Sequence, residues 1–107
     1  MIPRPGTSGA PAQAIAYVYL LQSQRAGTYY VGWTTDPVRR LGEHNADAAG
    51  YTRRQRPWRL VGFEAQPTAQ AARAYERALK RSPRKFARFK KRVLTRAAVG
   101  RPCQGVG

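Results

Sequence analysis

The chain is poor in acidic side chains, and it contains only one cysteine and one histidine. Its 107 residues carry five Asp and Glu against twenty Lys and Arg, a formal net charge of +15. Cys103 alone cannot form an internal disulfide or a cysteine-cluster zinc site, and His44 alone cannot form a histidine-based metal site. No apolar run approaches the ~20 residues that a membrane-spanning helix needs. These absences exclude an internal disulfide, a cysteine-cluster zinc site and a membrane-spanning helix.

The excess of positive charge indicates a polyanionic partner. Basic side chains that neutralise phosphates release bound counterions, and this release drives non-specific binding to nucleic acids. A basic protein associated with the ribosome would have the same composition, so charge alone does not separate the two. The lone cysteine favours a reducing, cytoplasmic compartment, and we expect no export because residues 1–13 lack a hydrophobic signal core.

The composition divides the chain into one folded domain and two tails. Residues 1–13 and 99–107 are rich in small residues, proline and glycine, and we expect both to be flexible. The segment between them, residues 14–98, is long enough for a single domain with a modest core.

Three stretches rich in β-branched and aromatic residues predict strands. Residues 15–21 and 29–31 flank the polar turn 22–27 and should form a hairpin. Residues 58–65 should add a third strand beside it. Gly32 is expected to interrupt the second strand, as glycine does where a backbone bends or a ligand comes close.

Capping residues predict where three helices begin. Asp36 followed by Pro37 starts the first helix, Thr68 caps the second, and Ser82 before Pro83 starts the third. Helices packed against a small three-stranded antiparallel sheet make an α+β fold.

On the first helix, Val38 and Leu41 share an apolar face. Arg40 and His44 are four residues apart on a neighbouring face, and they should therefore point together. Glu76 on the second helix precedes Lys80 by four residues, a spacing that is ordinarily a surface ion pair.

The basic residues concentrate in two regions. The connection formed by residues 46–57 is expected to be irregular, and the last helix should turn a basic face to solvent opposite an apolar stripe. The candidate nucleic-acid contacts are Arg39, Arg53, Arg54, Arg56, Lys80, Lys85, Arg88, Lys91 and Arg92.

The ordered set Tyr19, Tyr30, Arg40, His44 and Glu76 resembles the GIY-YIG nuclease family. In that family two tyrosine motifs lie on adjacent strands, an arginine and often a histidine follow on the first helix, and a later glutamate holds a divalent metal. Here the two tyrosines stand eleven residues apart, Arg40 follows ten later, and Glu76 occurs in AYERALK. The likeness covers about residues 15–95. Within the family, the sequence is similar to the compact bacterial single-domain members and to the catalytic half of Slx-type structure-specific nucleases.

The resemblance implies an endonuclease that hydrolyses DNA phosphodiester bonds with Mg²⁺ or Mn²⁺, in repair or recombination. Glu76 would then be the metal ligand, Arg40 would clamp the phosphate, and His44 would assist proton transfer or position the phosphate. Either Tyr19 or Tyr30 could be the general base, and Gly32 beside Tyr30 favours the latter.

A non-catalytic nucleic-acid-binding module on the same fold is the alternative interpretation. Some relatives carry a lysine where this chain has Trp33, and many have an asparagine after the metal-binding glutamate. No asparagine follows Glu76, and Lys80 and Lys85 are candidates for its role. The expected substrate is branched or nicked DNA, and the sequence does not distinguish DNA from RNA. No membrane contact is expected. The protein should be a monomer or a weak homodimer.

Overall fold

The computed structural model describes residues 15–46 and 50–99. The fold is α+β, as predicted. The predicted tail 1–13 and residues 100–107 of the second predicted tail lie outside the described residues. The elements follow in the order β1 (Ala16–Ser23), β2 (Tyr29–Thr34), α1 (Pro37–Asn45), a 3₁₀ helix (Gly50–Gln55), β3 (Trp58–Gln66), α2 (Ala69–Arg81) and α3 (Pro83–Val99). None of the described helices is long and apolar enough to cross a membrane.

The three strands form one antiparallel sheet with β1 in the centre and β2 at an edge. The predicted hairpin is confirmed, and its register places Tyr19 opposite Gly32 and Leu21 opposite Tyr30. The pairing of β1 with β3 shifts between Leu20 and Leu21. β2 continues through Gly32 to Thr34, so the predicted interruption of this strand is wrong.

Both faces of β1 are covered. Val18 and Leu20 point to one face and pack against apolar side chains of α2 and α3. Tyr19 and Leu21 point to the other face, where they pack with Trp58 of β3 and with α1. Side chains alternate between faces along a strand, so an uncharged stretch suits a strand that is buried on both sides.

The start of α1 is as predicted, but its packed face is not. The Asp36 carboxylate accepts a hydrogen bond from the Arg39 backbone N–H at 3.1 Å, and Pro37 is the first helical residue. Val38, predicted on the packed face, is 71% exposed, whereas His44 is 1% exposed. The helix packs through Pro37, Leu41 and His44 because the histidine nitrogens find partners inside the protein.

The connection after α1 is ordered where the structure describes it, which corrects the prediction of an irregular segment. The 3₁₀ helix is held by hydrogen bonds to the strands, including one from Ser23 Oγ to the Gln55 carbonyl at 2.6 Å. The side chain of Asn45 bonds both the N–H and the carbonyl of Trp58, at 2.6 and 3.0 Å. These contacts are tertiary, and the local sequence pattern therefore carries no sign of them.

The two remaining helix starts are confirmed. Thr68 Oγ1 accepts from the Ala71 N–H at 2.9 Å, and Ser82 Oγ accepts from the Lys85 N–H at 3.2 Å. Of the predicted apolar stripe on α3, Phe89 is fully buried in the core. Both helices pack on the face of the sheet away from Tyr19, through Ala72, Leu79, Phe89 and Val93.

Gly32 lets the ring of Tyr19 lie against β2. A Cβ atom at this position would stand 2.7 Å from Tyr19 Cζ, with the hydroxyl oxygen closer still. Such distances are well inside van der Waals contact. The glycine therefore makes room for Tyr19, and not for Tyr30 as its position in the sequence suggested.

Gly32→Ala should lower the free energy of unfolding by about 1–3 kcal/mol, because the new methyl group displaces a buried ring. Gly42→Ala in α1 is the matched control, since its Cβ would meet no atom within 4 Å. An exposed helical Gly→Ala change should be neutral or stabilising by up to about 1 kcal/mol. Urea unfolding at pH 7 measures both, and equal stability of the two variants would contradict this packing.

Candidate active site

A buried chain of three polar side chains runs from β1 through α1 to the 3₁₀ helix. Tyr19 Oη lies 3.0 Å from His44 Nε2, and His44 Nδ1 lies 2.8 Å from Thr52 Oγ1. Each of the three residues is at most 2% exposed. Buried polar groups need such partners, since leaving one unsatisfied costs about 1–3 kcal/mol.

The side chains of Tyr19 and His44 are both neutral at physiological pH. Burial, helped by the charge of Arg40, lowers the pKa of His44 to about 4. Burial also raises the pKa of Tyr19 to about 12, although hydrogen bonding to Arg40 opposes the rise. The neutral imidazole therefore has one N–H and one lone pair to place.

The tautomer of His44 follows from the direction of the Tyr19 O–H. A guanidinium only donates hydrogen bonds, so Arg40 donates to the Tyr19 oxygen, and we assign the Tyr19 O–H as the donor to His44 Nε2. The histidine N–H is then on Nδ1, where it donates to Thr52 Oγ1. This pattern assigns the tautomer in which Nε2 is the proton acceptor.

Arg40 is held at the mouth of the site by a neighbour on its own helix. Its Nη1 lies 2.7 Å from Glu43 Oε1, while Arg39 Nη1 lies 2.9 Å from the other oxygen of the same carboxylate. The bond from Arg40 is the main cause that lowers the pKa of Glu43. The guanidinium of Arg40 is thereby kept next to the Tyr19 hydroxyl.

Glu76 and Lys80 reach the same site from α2, along the edge strand β2. The ion pair expected from their spacing is present, with Lys80 Nζ 2.5 Å from Glu76 Oε2. The same ammonium lies 5.2 Å from the centre of the Tyr30 ring, and the Tyr30 and His44 ring centres are 5.0 Å apart. The charge of Glu76 contributes to the raised pKa of Tyr19. All five residues proposed from the sequence as catalytic thus meet in one place.

The carboxylate of Glu76 is the group here that suits a hard cation. Among residues 15–46 and 50–99 no three His, Cys, Asp or Glu side chains are grouped closely enough to hold a metal ion. Mg²⁺ is commonly bound by one or two carboxylates, with water and substrate phosphates as its other ligands. Glu76 offers one such carboxylate, and in this structure it is paired with Lys80.

The predicted nucleic-acid contacts form two groups. The first comprises Arg39 and Lys80, which are paired with Glu43 and Glu76, and Arg53, Arg54 and Arg56, which follow Thr52 along the chain. The second is the solvent face of α3, with Lys85, Arg88 and Lys91 exposed. Arg92 is bonded to Glu64 of β3 at 3.0 Å, and Arg96 and Tyr75 bond the same carboxylate.

The sequence offers no sign of the parts played by Thr52 and Trp58. The Trp58 indole N–H donates to the Thr52 carbonyl at 2.9 Å, and its ring centre lies 6.5 Å from that of His44. No spacing rule connects a threonine in a basic connection with a histidine eight residues earlier. The contact follows only from the fold.

The family model of the GIY-YIG catalytic domain matches residues 15–91. This chain belongs to the GIY-YIG family. A UPF0213 protein of Streptococcus pneumoniae serotype 4 is 41% identical over 70 residues, covering 64% of this chain and 70% of that protein. A UPF0213 protein of Haloquadratum walsbyi is 43% identical over 65 residues, covering 60% and 72%.

A much longer relative matches this chain over a short segment only. The structure-specific endonuclease subunit SLX1 homolog 1 of Trypanosoma cruzi is 49% identical over 51 residues, covering 41% of this chain and 10% of that protein. A solution NMR structure of a UPF0213 protein from Bacillus halodurans is 37% identical, with a TM-score of 0.44 over 71% of this chain and 82% of that one. The resemblance to GIY-YIG nucleases inferred from the tyrosine motifs is confirmed.

The buried histidine should make stability fall in mild acid. The pKa of His44 is about 4 in the folded protein, against about 6.5 in an unfolded chain. Between these values the unfolded state binds the extra proton, so stability is complete above pH 6.5 and falls as pH decreases. We expect a loss of about 1–2 kcal/mol between pH 7 and pH 5 in urea unfolding.

His44→Gln is the control, since it removes the only histidine in the chain. Carboxylates titrate mainly below this window, so the variant should show almost no change between pH 7 and pH 5. A wild-type protein equally stable at both values would show that His44 is not held neutral by burial.

Proposed function

We propose that this GIY-YIG protein is a DNA endonuclease that hydrolyses phosphodiester bonds with Mg²⁺ or Mn²⁺ at Glu76. The observation that carries the proposal is the buried Tyr19–His44 hydrogen bond, with Arg40 beside the tyrosine oxygen. This arrangement brings together a neutral proton acceptor (His44), a proton carrier (Tyr19) and an anion-binding cation (Arg40). The SLX1 relatives are named structure-specific endonuclease subunits, which supports an endonuclease that recognises substrate structure; we propose branched or nicked DNA as the substrate and a role in repair.

The geometry supports a two-step transfer of the proton from the attacking water. Hydrolysis requires a water that loses its proton, stabilisation of the charged phosphorane and a protonated leaving oxygen. As the oxygen of a water beside Tyr19 forms its bond to phosphorus, the water gives a proton to the Tyr19 oxygen, and the phenol passes its own proton to His44 Nε2. The phosphorus–oxygen bond to the leaving group breaks, the leaving oxygen takes a proton from solvent, and His44 later returns its proton to solvent. Tyr19 is neutral before and after, so its high pKa does not oppose the transfer.

Substrate binding itself favours the transfer to His44. A negative phosphate next to a histidine stabilises the imidazolium and raises its pKa from the low value of the free protein. Thr52 holds the Nδ1 proton and keeps Nε2 turned towards Tyr19. His44 thus becomes a stronger base when the phosphate is bound.

Arg40 is suited to hold the phosphate during this transfer. A guanidinium has five N–H donors in a planar fork, so one can bond Glu43 while others bond phosphate oxygens. Glu76 would hold the divalent ion, which when bound supplies Lewis-acid polarisation of the phosphate. Lys80, displaced from Glu76, is then next to the same phosphate.

The non-catalytic module is the second candidate. The close Glu76–Lys80 ion pair favours it, because this pair already neutralises the carboxylate that the metal requires. The absence of an asparagine after Glu76 points the same way. A test must therefore separate cleavage from binding.

Purified protein incubated with nicked, branched and linear DNA should cut in the presence of Mg²⁺ or Mn²⁺ and not in EDTA. Tyr19→Phe removes the proton carrier, so its rate should fall by about 10²–10⁴-fold, with at most about 1–2 kcal/mol lost in stability. Tyr75→Phe is the matched control, because Tyr75 donates to Glu64 away from the site, at 3.0 Å.

Glu76→Gln in the same assay should lose cleavage and keep DNA affinity, since a negative charge is removed from a basic protein. Glu64→Gln is its control, because the Glu64 carboxylate bonds Tyr75, Arg92 and Arg96 away from the site, and it should cut normally at a temperature where both variants are folded. Salt-sensitive DNA binding without any cleavage would favour the non-catalytic module. A Tyr19→Phe protein that cuts at the wild-type rate would rule out the proton transfer through Tyr19.

A further inference from the structure

A groove lies on the opposite side of β2 from the Tyr19–His44 hydrogen bond. Its volume is about 370 Å³, which is within the usual range of ligand sites. Val31 and Leu79 are buried beneath it, and the half-buried rings of Tyr29 and Phe86 line it. The remaining lining residues are Lys80 and Pro83. We call this the Tyr29 groove.

Lysine side chains lie beside the aromatic lining of the Tyr29 groove. Lys90 Nζ lies 4.8 Å from the centre of the Tyr29 ring and 5.7 Å from that of Phe86. Lys80 contributes a second ammonium from α2. Proteins that bind single-stranded nucleic acid combine aromatic rings, on which bases stack, with cations along the phosphate backbone. The Tyr29 groove has both components.

The Tyr29 groove and the candidate active site meet at the edge of the sheet. Tyr29 and Tyr30 are consecutive residues of β2, so their rings lie on opposite faces, and β2 is an edge of the described sheet. Lys80 lines the groove and also lies 5.2 Å from the Tyr30 ring centre. A DNA strand that crosses this edge would therefore have adjacent nucleotides in the two places.

We propose that the Tyr29 groove binds the base of an unpaired nucleotide next to the phosphate that is cut. The base stacks on the rings of Tyr29 and Phe86, and its phosphate lies near Lys80 and Lys90. This proposal rests on the proposed nuclease function. A base inside a duplex has both faces covered by its neighbours, so only an unpaired or unstacked base can offer a face to these rings. The groove thus selects DNA that is unpaired beside the cut.

An apolar groove can also receive a protein segment or a second copy of the chain. Lys90 at its rings, Lys80 in its lining and a formal net charge of +15 favour an anionic occupant instead. Its continuity with the candidate active site through Lys80 favours the same substrate strand. The experiment must nevertheless include the oligomeric state.

The test measures binding in EDTA, so that it does not depend on cleavage. The probes are a single-stranded oligonucleotide containing 2-aminopurine and a blunt duplex of the same sequence. Tyr29→Leu keeps an apolar side chain but removes the ring, and it should weaken binding of the single strand roughly tenfold, with little effect on the duplex. Tyr29→Phe keeps the ring and should behave as wild type. The quenching of 2-aminopurine on stacking should be lost only in the leucine variant.

Adjacent lysines on α3 provide a second, matched pair. Lys90→Ala should lower the ratio of single-strand to duplex affinity, because Lys90 lies at the rings of the groove. Lys91→Ala removes the same charge from the next residue, on the outer face of the helix, and should leave that ratio unchanged even if both affinities fall slightly.

Three results would overturn the proposal. One is equal behaviour of the leucine and phenylalanine variants, and another is an equal loss on both DNAs. The third is a Tyr29→Leu protein with unchanged DNA binding but an altered oligomeric state in sedimentation, which would assign the groove to a protein contact. Selective binding of the single strand without any cleavage would refute the nuclease function and leave the base-binding groove in place. Cleavage without selective binding of the single strand would refute the base-binding groove alone.

Discussion

The hydrogen bond between the Tyr19 hydroxyl and His44 Nε2 is the constraint on which the site depends. It lies in the interior, where both groups must find partners, and it joins the central strand to the first helix. Gly32 provides the space for the tyrosine ring, and Thr52 provides the partner for the second imidazole nitrogen. Two buried hydrogen bonds therefore join three separate segments of the chain, β1, α1 and the 3₁₀ helix.

The burial that stabilises this contact also sets its chemistry. Removal from water disfavours the charged forms of both groups, which leaves a neutral phenol next to a neutral imidazole. In the proposed mechanism, an anionic phosphate bound at Arg40 would raise the basicity of His44. Proton transfer would then be linked to the presence of phosphate.

Local rules predicted much of this structure. Asp36, Thr68 and Ser82 marked the helix starts correctly, because a cap acts within three residues and needs no distant partner. The order of the tyrosines, Arg40 and Glu76 also indicated the family, since this spacing reflects a fixed arrangement of strands and helices.

The remaining features depend on contacts between distant segments. The sequence alone could not show that β2 continues through Gly32, because the reason is a ring on the neighbouring strand. Nor could it show that His44 replaces Val38 on the packed face of α1, since this depends on Thr52. The 3₁₀ helix was missed for the same reason, since Ser23 of β1 bonds the Gln55 carbonyl at its end.

The protonation of His44 can be measured by ¹⁵N-detected NMR of the imidazole at pH 7, which is unambiguous because the chain has a single histidine. The predicted result is a neutral ring with the proton on Nδ1, and a loss of this tautomer preference in Thr52→Val. An imidazolium, or a neutral ring with the proton on Nε2, would contradict the assignment of His44 as the acceptor of the Tyr19 proton.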